Sequence, residues 1–233
     1  MIKLGTNQLV DVITEVIIEH LQQKETLKQR CRPAGQLIDE KIPVGVSNRH
    51  VHISHADLAQ LFGFDSGLTN FKDLSQPGQF AARETVTLVG PKGVIEKVRV
   101  LGPTRKRTQV EISISDCFKL GIQAPIRDSG DLSGAAKITL VGPAGSVTLD
   151  EGCIIPARHI HMHPDDAHRF GVQDGDRVTV KVAGPRGIIF HEVLVRVNKN
   201  YRLEMHIDID EANAALLKNN DRVEILASMG SGS

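Results

Sequence analysis

Arg158-His159-Ile160-His161-Met162-His163 echoes Arg49-His50-Val51-His52 from earlier in the chain. Side chains alternate along a β-strand, so histidines two apart face the same way. Two neutral imidazoles aimed at one point form half of a site for zinc or a similar ion. The dyad occurs twice, each time behind an arginine and inside a similar longer pattern. That points to a duplicated fold with a metal site where the copies meet.

The flanking sequence repeats as well. Residues 55–64 read as a short helix capped by Ser54, and residues 164–170 as its counterpart after the second dyad. Hairpins with Gly-Pro turns follow, about Gly90-Pro91-Lys92-Gly93 in the first copy and Gly184-Pro185-Arg186-Gly187 in the second. Residues 137–150 form one more between the copies. Residues 105–114 and 203–209 each give a further alternating strand, a short helix follows at 211–218, and residues 71–83, with Pro77-Gly78, give a long irregular loop. Alternating apolar positions without long helices between strands predict a mainly β protein of two duplicated small β-barrel domains with short capping helices. The expected division is a helix and linker over 1–41, a first barrel repeat with the linking hairpin over 42–153, a second repeat over 154–227, and a tail over 228–233.

Residues 7–23 read as an amphipathic helix, with Leu9, Val10, Ile13, Val16, Ile17 and Leu21 at three- and four-residue steps. Residues 24–41 are a polar linker containing Pro33 and Gly35. A tethered helix of this kind docks on a partner, folds back on its own domain, or pairs in an oligomer. Lys+Arg and Asp+Glu are both 28, and aromatics are 3% of the 233 residues, which argues against a nucleic-acid or anionic-membrane partner. Cys31, Cys117 and Cys153 are odd in number and form no CxxC pair, consistent with a reducing cytosol. No membrane-length apolar run or secretory signal is present, so a soluble intracellular protein is expected. An amidohydrolase-type barrel would need long helices between strands, and a cupin does not account for the duplicated dyad.

Laying Ile112-Ser113-Ile114-Ser115-Asp116 over Ile207-Asp208-Ile209-Asp210-Glu211 places Glu111 opposite His206. Each copy then supplies a dyad plus a third donor: His50, His52 and Glu111 in one, and His159, His161 and His206 in the other. Three protein ligands and an open position are what catalytic zinc sites keep. His163 extends the second dyad and is a further candidate, although its counterpart Ser54 suits capping better. Arg105 and Arg107 lead into the Glu111 strand, and either guanidinium matches phosphate oxygens.

The segments GVSNRHVHIS, VLGPTRKRTQVEISISD, ARHIHMHPDDA and MHIDIDEANAA resemble the PduL-type phosphate propanoyltransferases of bacterial microcompartments, over about Ile42 to Leu226. The resemblance implies two β-barrels, a site of two zinc ions, and reversible acyl transfer between coenzyme A and phosphate. It also implies His50, His52, Glu111, His159, His161 and His206 as ligands and Arg105 as the phosphate-binding arginine. Ser47, Lys72, Arg99, Leu101 and Asn213 are implied as coenzyme contacts. It assigns residues 7–23 to docking at the microcompartment shell or cargo, and a homo-oligomer is expected. Phosphate is expected to attack the thioester of a short-chain acyl-CoA directly. The competing classes are a metal-dependent thioester hydrolase and a non-catalytic metal-binding microcompartment module.

Overall fold

A computed structural model describes residues 37–226, with side chains from residue 41 onward. The expected helix at 7–23, the linker as far as residue 36 and the tail lie outside these residues, whereas residues 37–41, expected as linker, are the start of a strand that pairs with the C-terminal strand of the second barrel. Among the described residues, fourteen strands and four short helices occur, and twelve of the strands make two closed six-stranded barrels. Barrel one closes in the order β4 (Phe80–Val89), β5 (Val94–Arg105), β2 (His50–Ser54), β6 (Gln109–Glu111), β9 (Ser146–Pro156) and β8 (Ala136–Val141), which returns to β4. Short strands β3 (Asn70–Asp73) and β7 (Ile126–Arg127) flank it. Barrel two closes as β1 (Leu37–Ser47), β13 (Glu204–Asp208), β10 (His159–Met162), β12 (Ile189–Val197), β11 (Arg177–Lys181) and β14 (Arg222–Leu226).

The topology is the same in both. β2 runs parallel to β5 and antiparallel to β6, as β10 does to β12 and β13. β6 is parallel to β9, and β13 is parallel to β1. It follows that each barrel borrows the strand preceding the other barrel's dyad. β9, which leads into the second dyad, completes barrel one; β1, which leads into the first, completes barrel two. Ile42 and Val44 are accordingly buried in the barrel-two core. Residues 42–47 thus lie outside the barrel to which the 42–153 division assigned them. Two residues, Asn48-Arg49, suffice for the chain to cross between barrels. The exchange ties the two cores together covalently in both directions.

The helices are α1 (His55–Phe62), α2 (Ile114–Leu120), α3 (Pro164–Phe170) and α4 (Ile209–Ala215). Ser54 caps α1, accepting from Asp57 N at 3.1 Å. α2 ends the expected 105–114 strand early: Ser113 and Asp116 form a capping box, and Gly121 closes the helix in the left-handed region. The Gly-Pro turns of barrel one explain their own glycines. Lys92 N donates to Leu120 O at 3.0 Å and Ala144 N to Leu61 O at 2.9 Å, so each turn seals the end of a helix. A Cβ on Gly90 or Gly142 would collide with that same carbonyl oxygen. Among the described residues no helix is long and apolar enough to cross a membrane.

Candidate active site

Both dyads are held by the same local device. His50 Nδ1 lies 2.8 Å from Asn48 O, and His159 Nδ1 lies 2.9 Å from Ala157 O. An Nδ1–H donated to a carbonyl fixes the tautomer and leaves Nε2 as a lone-pair donor toward the site. The preceding arginines anchor the start of each dyad strand to the helix that follows the third-donor strand of the same copy, α2 or α4. Arg49 Nε is 2.9 Å from both carboxylate oxygens of buried Asp116, and Arg158 Nε is 3.4 Å from Glu211 Oε1. Asp116 and Glu211 are both the third helical residue of a capping box, so cap and anchor share one carboxylate.

Strand register then assembles the triads. Glu111 pairs with His50 across β2–β6, and His206 pairs with His159 across β10–β13. The ligand atoms of His50, His52 and Glu111 lie within 4.8 Å of one another. In the other copy the ring centroids of His159, His161 and His206 are 4.7–5.1 Å apart. All six residues line one cavity of about 700 Å³ between the barrels.

Electrostatics differ between the halves. Glu111 is buried, yet His50 and His52, with a hydrogen bond from Ser129 Oγ at 2.7 Å, hold its carboxyl well below the usual range. Burial opposes charging of His50, but Glu111 outweighs it and raises the imidazole above its ordinary value. Burial and then the His50 charge push His52 well below 6.5. The second half lacks a carboxylate in the triad. Burial and His206 lower His159 to about 4, and burial with His159 lowers His161 to about 2. Both are neutral near pH 7, the form that ligates metals. Glu204 Oε2 lies 2.9 Å from His206 Nε2, but off the hydrogen-bonding direction: that nitrogen and His161 Nδ1 are buried without hydrogen-bond partners.

The other expected residues separate clearly. Arg105 lines the cavity and donates to Ser129 Oγ at 3.3 Å, so Arg105, Ser129 and Glu111 form a continuous chain. Arg107 falls beyond the end of β5 and lies on a different face, beside Asp57 and Asp150. Ser47, Lys72, Arg99 and Leu101 line the cavity; Asn213 is exposed on α4 and does not. His163 is the N-cap of α3, accepting from Asp165 N at 3.3 Å, which is the role of Ser54 in the other copy. Sequence reasoning missed Ser129 and Gln109, which both donate to Glu111 Oε1, as well as Arg196, Tyr201 and Glu204 in the cavity wall. Only Glu204 and Gln109 carried a usable signal, since each sits two residues before the third member of its triad.

Comparison with known proteins agrees with this geometry. The family model for phosphate propanoyltransferase matches residues 43–218. The chain is 55% identical over 203 residues to the phosphate propanoyltransferase of Thermotoga maritima, covering 86% of this chain and 97% of the relative. It is 50% identical over 218 residues to that of Lachnoclostridium phytofermentans, covering 93% and 98%, and 57% identical over 184 residues to that of Rhodobacter capsulatus, covering 79% and 86%. The match spans both dyads, both third donors and Arg105, and the chain belongs to the phosphate propanoyltransferase family.

Proposed function

We propose that the cavity between the barrels reversibly transfers a short acyl group, propanoyl or acetyl, between coenzyme A and inorganic phosphate by direct phosphate attack. The observation that carries this reading is the convergence of two register-matched triads and Arg105 on a single cavity. The donor set suits zinc: imidazoles, two of them with Nδ1 held by a backbone carbonyl, one buried carboxylate, and two ring nitrogens without hydrogen-bond partners. His50, His52 and Glu111 would hold one ion, and His159, His161 and His206 a second. When bound, such ions supply Lewis-acid stabilisation of developing negative charge.

The chain's own groups do the rest. Arg105 holds phosphate in a fixed orientation, so a phosphate oxygen attacks the thioester carbonyl carbon; the carbon–sulfur bond then breaks and coenzyme A leaves as thiolate. Lys72 and Arg99 offer cationic contacts to the coenzyme's phosphates, with Ser47 and Leu101 beside them. Asn213, outside the cavity wall, would meet a part of the coenzyme that projects from the cavity. An acyl-enzyme is disfavoured because Cys117 and Cys153 are buried in the barrel-one core, where burial raises both thiols above their ordinary value.

Residues 7–23 belong to the same proposal, as the segment that brings the enzyme into a bacterial microcompartment within the cytoplasm. Removing residues 1–36 is expected to leave turnover unchanged and to abolish co-purification with shells. The test of the reaction is thiol release from propanoyl-CoA with and without phosphate, alongside metal analysis. Phosphate-dependent release with acyl phosphate formation supports the transferase. Equal release without phosphate identifies a hydrolase, and a folded, metal-loaded protein with no turnover identifies a binding module.

A further inference from the structure

Arg196 belongs to none of the sequence motifs, because Val195-Arg196-Val197 reads as an ordinary alternating strand with its charge toward solvent. The structure turns it inward. It stands beside His161 in the parallel β10–β12 pair, and its half-buried side chain lines the cavity. The equivalent position in barrel one, beside His52, is the apolar Leu101. Arg196 is therefore a departure from the repeat, placed on the side of the cavity opposite to Arg105's barrel.

Its surroundings leave the guanidinium without a resting partner. Among the described residues Arg196 donates no hydrogen bond and joins no ion pair. The ionisable groups coupled to it are Arg105 and the imidazoles of His159 and His161, none of which neutralises a cation. Arg99, by contrast, is committed: its Nη1 donates to Ala82 O at 2.9 Å and Arg83 O at 2.8 Å, and its guanidinium lies over Phe71. Arg105 makes one side-chain hydrogen bond among the described residues, the 3.3 Å contact to Ser129. Two guanidiniums facing one cavity repel each other, and the repulsion is relieved when an anion sits between them. A thioester carbonyl offers one oxygen. A phosphate dianion offers separate oxygen pairs to two planar forks.

We propose that Arg196 is a second phosphate-binding catalytic residue, and that Arg105 from one barrel and Arg196 from the other grip the transferred phosphate between them. The proposal rests on the acyl-transfer reading above. It explains why the cavity needs both barrels for its small substrate: neither barrel alone carries both forks.

The test is steady-state kinetics of the metal-loaded full chain in both directions, with Arg196→Gln and Arg196→Lys. Arg196→Gln is expected to raise the KM for phosphate, and for acyl phosphate in reverse, by roughly ten- to a hundredfold. The KM for acyl-CoA and the metal content should stay within roughly twofold, and Arg196→Lys should fall between, since a point charge replaces the fork. An unchanged phosphate KM overturns the proposal. So does a shift carried by the acyl-CoA KM, which would assign Arg196 to the coenzyme's phosphates instead. The wild-type protein gives an independent readout: phosphate should protect both Arg105 and Arg196 from phenylglyoxal, mapped by mass spectrometry, and protection of Arg105 alone overturns the clamp. Wild-type thiol release that is indifferent to phosphate would defeat the acyl-transfer reading itself, a result visible before any variant is made.

Discussion

Glu111 stands opposite His50 across the β2–β6 pair, its Oε2 3.3 Å from His50 Nε2. The same register in the other barrel brings His206 opposite His159, with the rings stacked at 5.1 Å. The two half-sites therefore share one backbone frame and differ in one donor, a carboxylate against an imidazole. Glu111→Gln tests whether that carboxylate holds an ion. It keeps the shape and the hydrogen bond from Ser129 but removes the charge that offsets burial of His50. The variant should lose about one metal ion per chain by elemental analysis. Turnover should fall roughly a hundredfold or more. Full metal content with normal turnover would remove Glu111 from the ligand set.

Arg105 and Arg107 have the same sequence context, and the end of β5 at Arg105 separates them. Arg105→Ala should raise the phosphate KM by roughly tenfold or more with metal content intact. Arg107→Ala, on the face beside Asp57 and Asp150, should leave kcat and every KM within roughly twofold. Equal effects of the two substitutions would deny Arg105 its phosphate role.

His163 was open as a third imidazole on the second strand. Its backbone at φ −70° and ψ 153° and its bond from Asp165 N make it a helix cap instead. His163→Ser reproduces the arrangement of Ser54 and should retain both metal content and turnover, with a melting temperature equal to or above that of the parent. Loss of an ion in this variant would restore His163 as a ligand.

The triads were legible in the sequence because they depend on local rules. The period of two aims each dyad, and the similarity of Ile112–Asp116 to Ile207–Glu211 fixes the third donor. The strand exchange was not legible. Nothing in the composition of residues 42–53 divides them between two barrels, and what assigns their first half to barrel two is pairing with Met205–Asp208 and Arg222–Val223, far along the chain. Arg196 was hidden for a related reason: on a strand forming part of a barrel, only closure decides whether a polar residue meets solvent or a cavity. Helix α2 was missed although its signals were present, Ser113 with Asp116 at its start and Gly121 at its end, because the alternation of Glu111-Ile112-Ser113-Ile114 favours a strand.

Cys117 and Cys153 make a separable case for direct attack. Cys153 is fully buried and Cys117 is 7% exposed, both in the barrel-one core. The double substitution to alanine should leave kcat within roughly twofold, whereas melting should show a loss on the order of 1–2 kcal/mol from lost packing. Abolished turnover with metal and fold intact would indicate a covalent route.

The second half-site sets a pH dependence for the metal-depleted protein. His159 has a folded value of about 4 against 6.5, and His161 about 2, so both are neutral in the fold across mildly acidic pH. The unfolded chain takes up protons at these residues below about pH 6.5 while the folded chain does not, and stability therefore falls as pH falls. Between pH 6.5 and 5 each contributes a loss of at most about 2 kcal/mol. For His159 the loss stops near pH 4, where the folded form also charges. His52, held well below 6.5, acts in the same sense as these two, whereas His50 acts in the opposite sense, since its raised value favours the fold at lower pH. Urea midpoints of metal-depleted protein should drop from pH 7 to pH 5, and His161→Gln should show a smaller drop than the parent. A midpoint that holds or rises toward pH 5 would mean that these imidazoles are not buried in their neutral form, and with that the second metal pocket proposed for barrel two would lose its support.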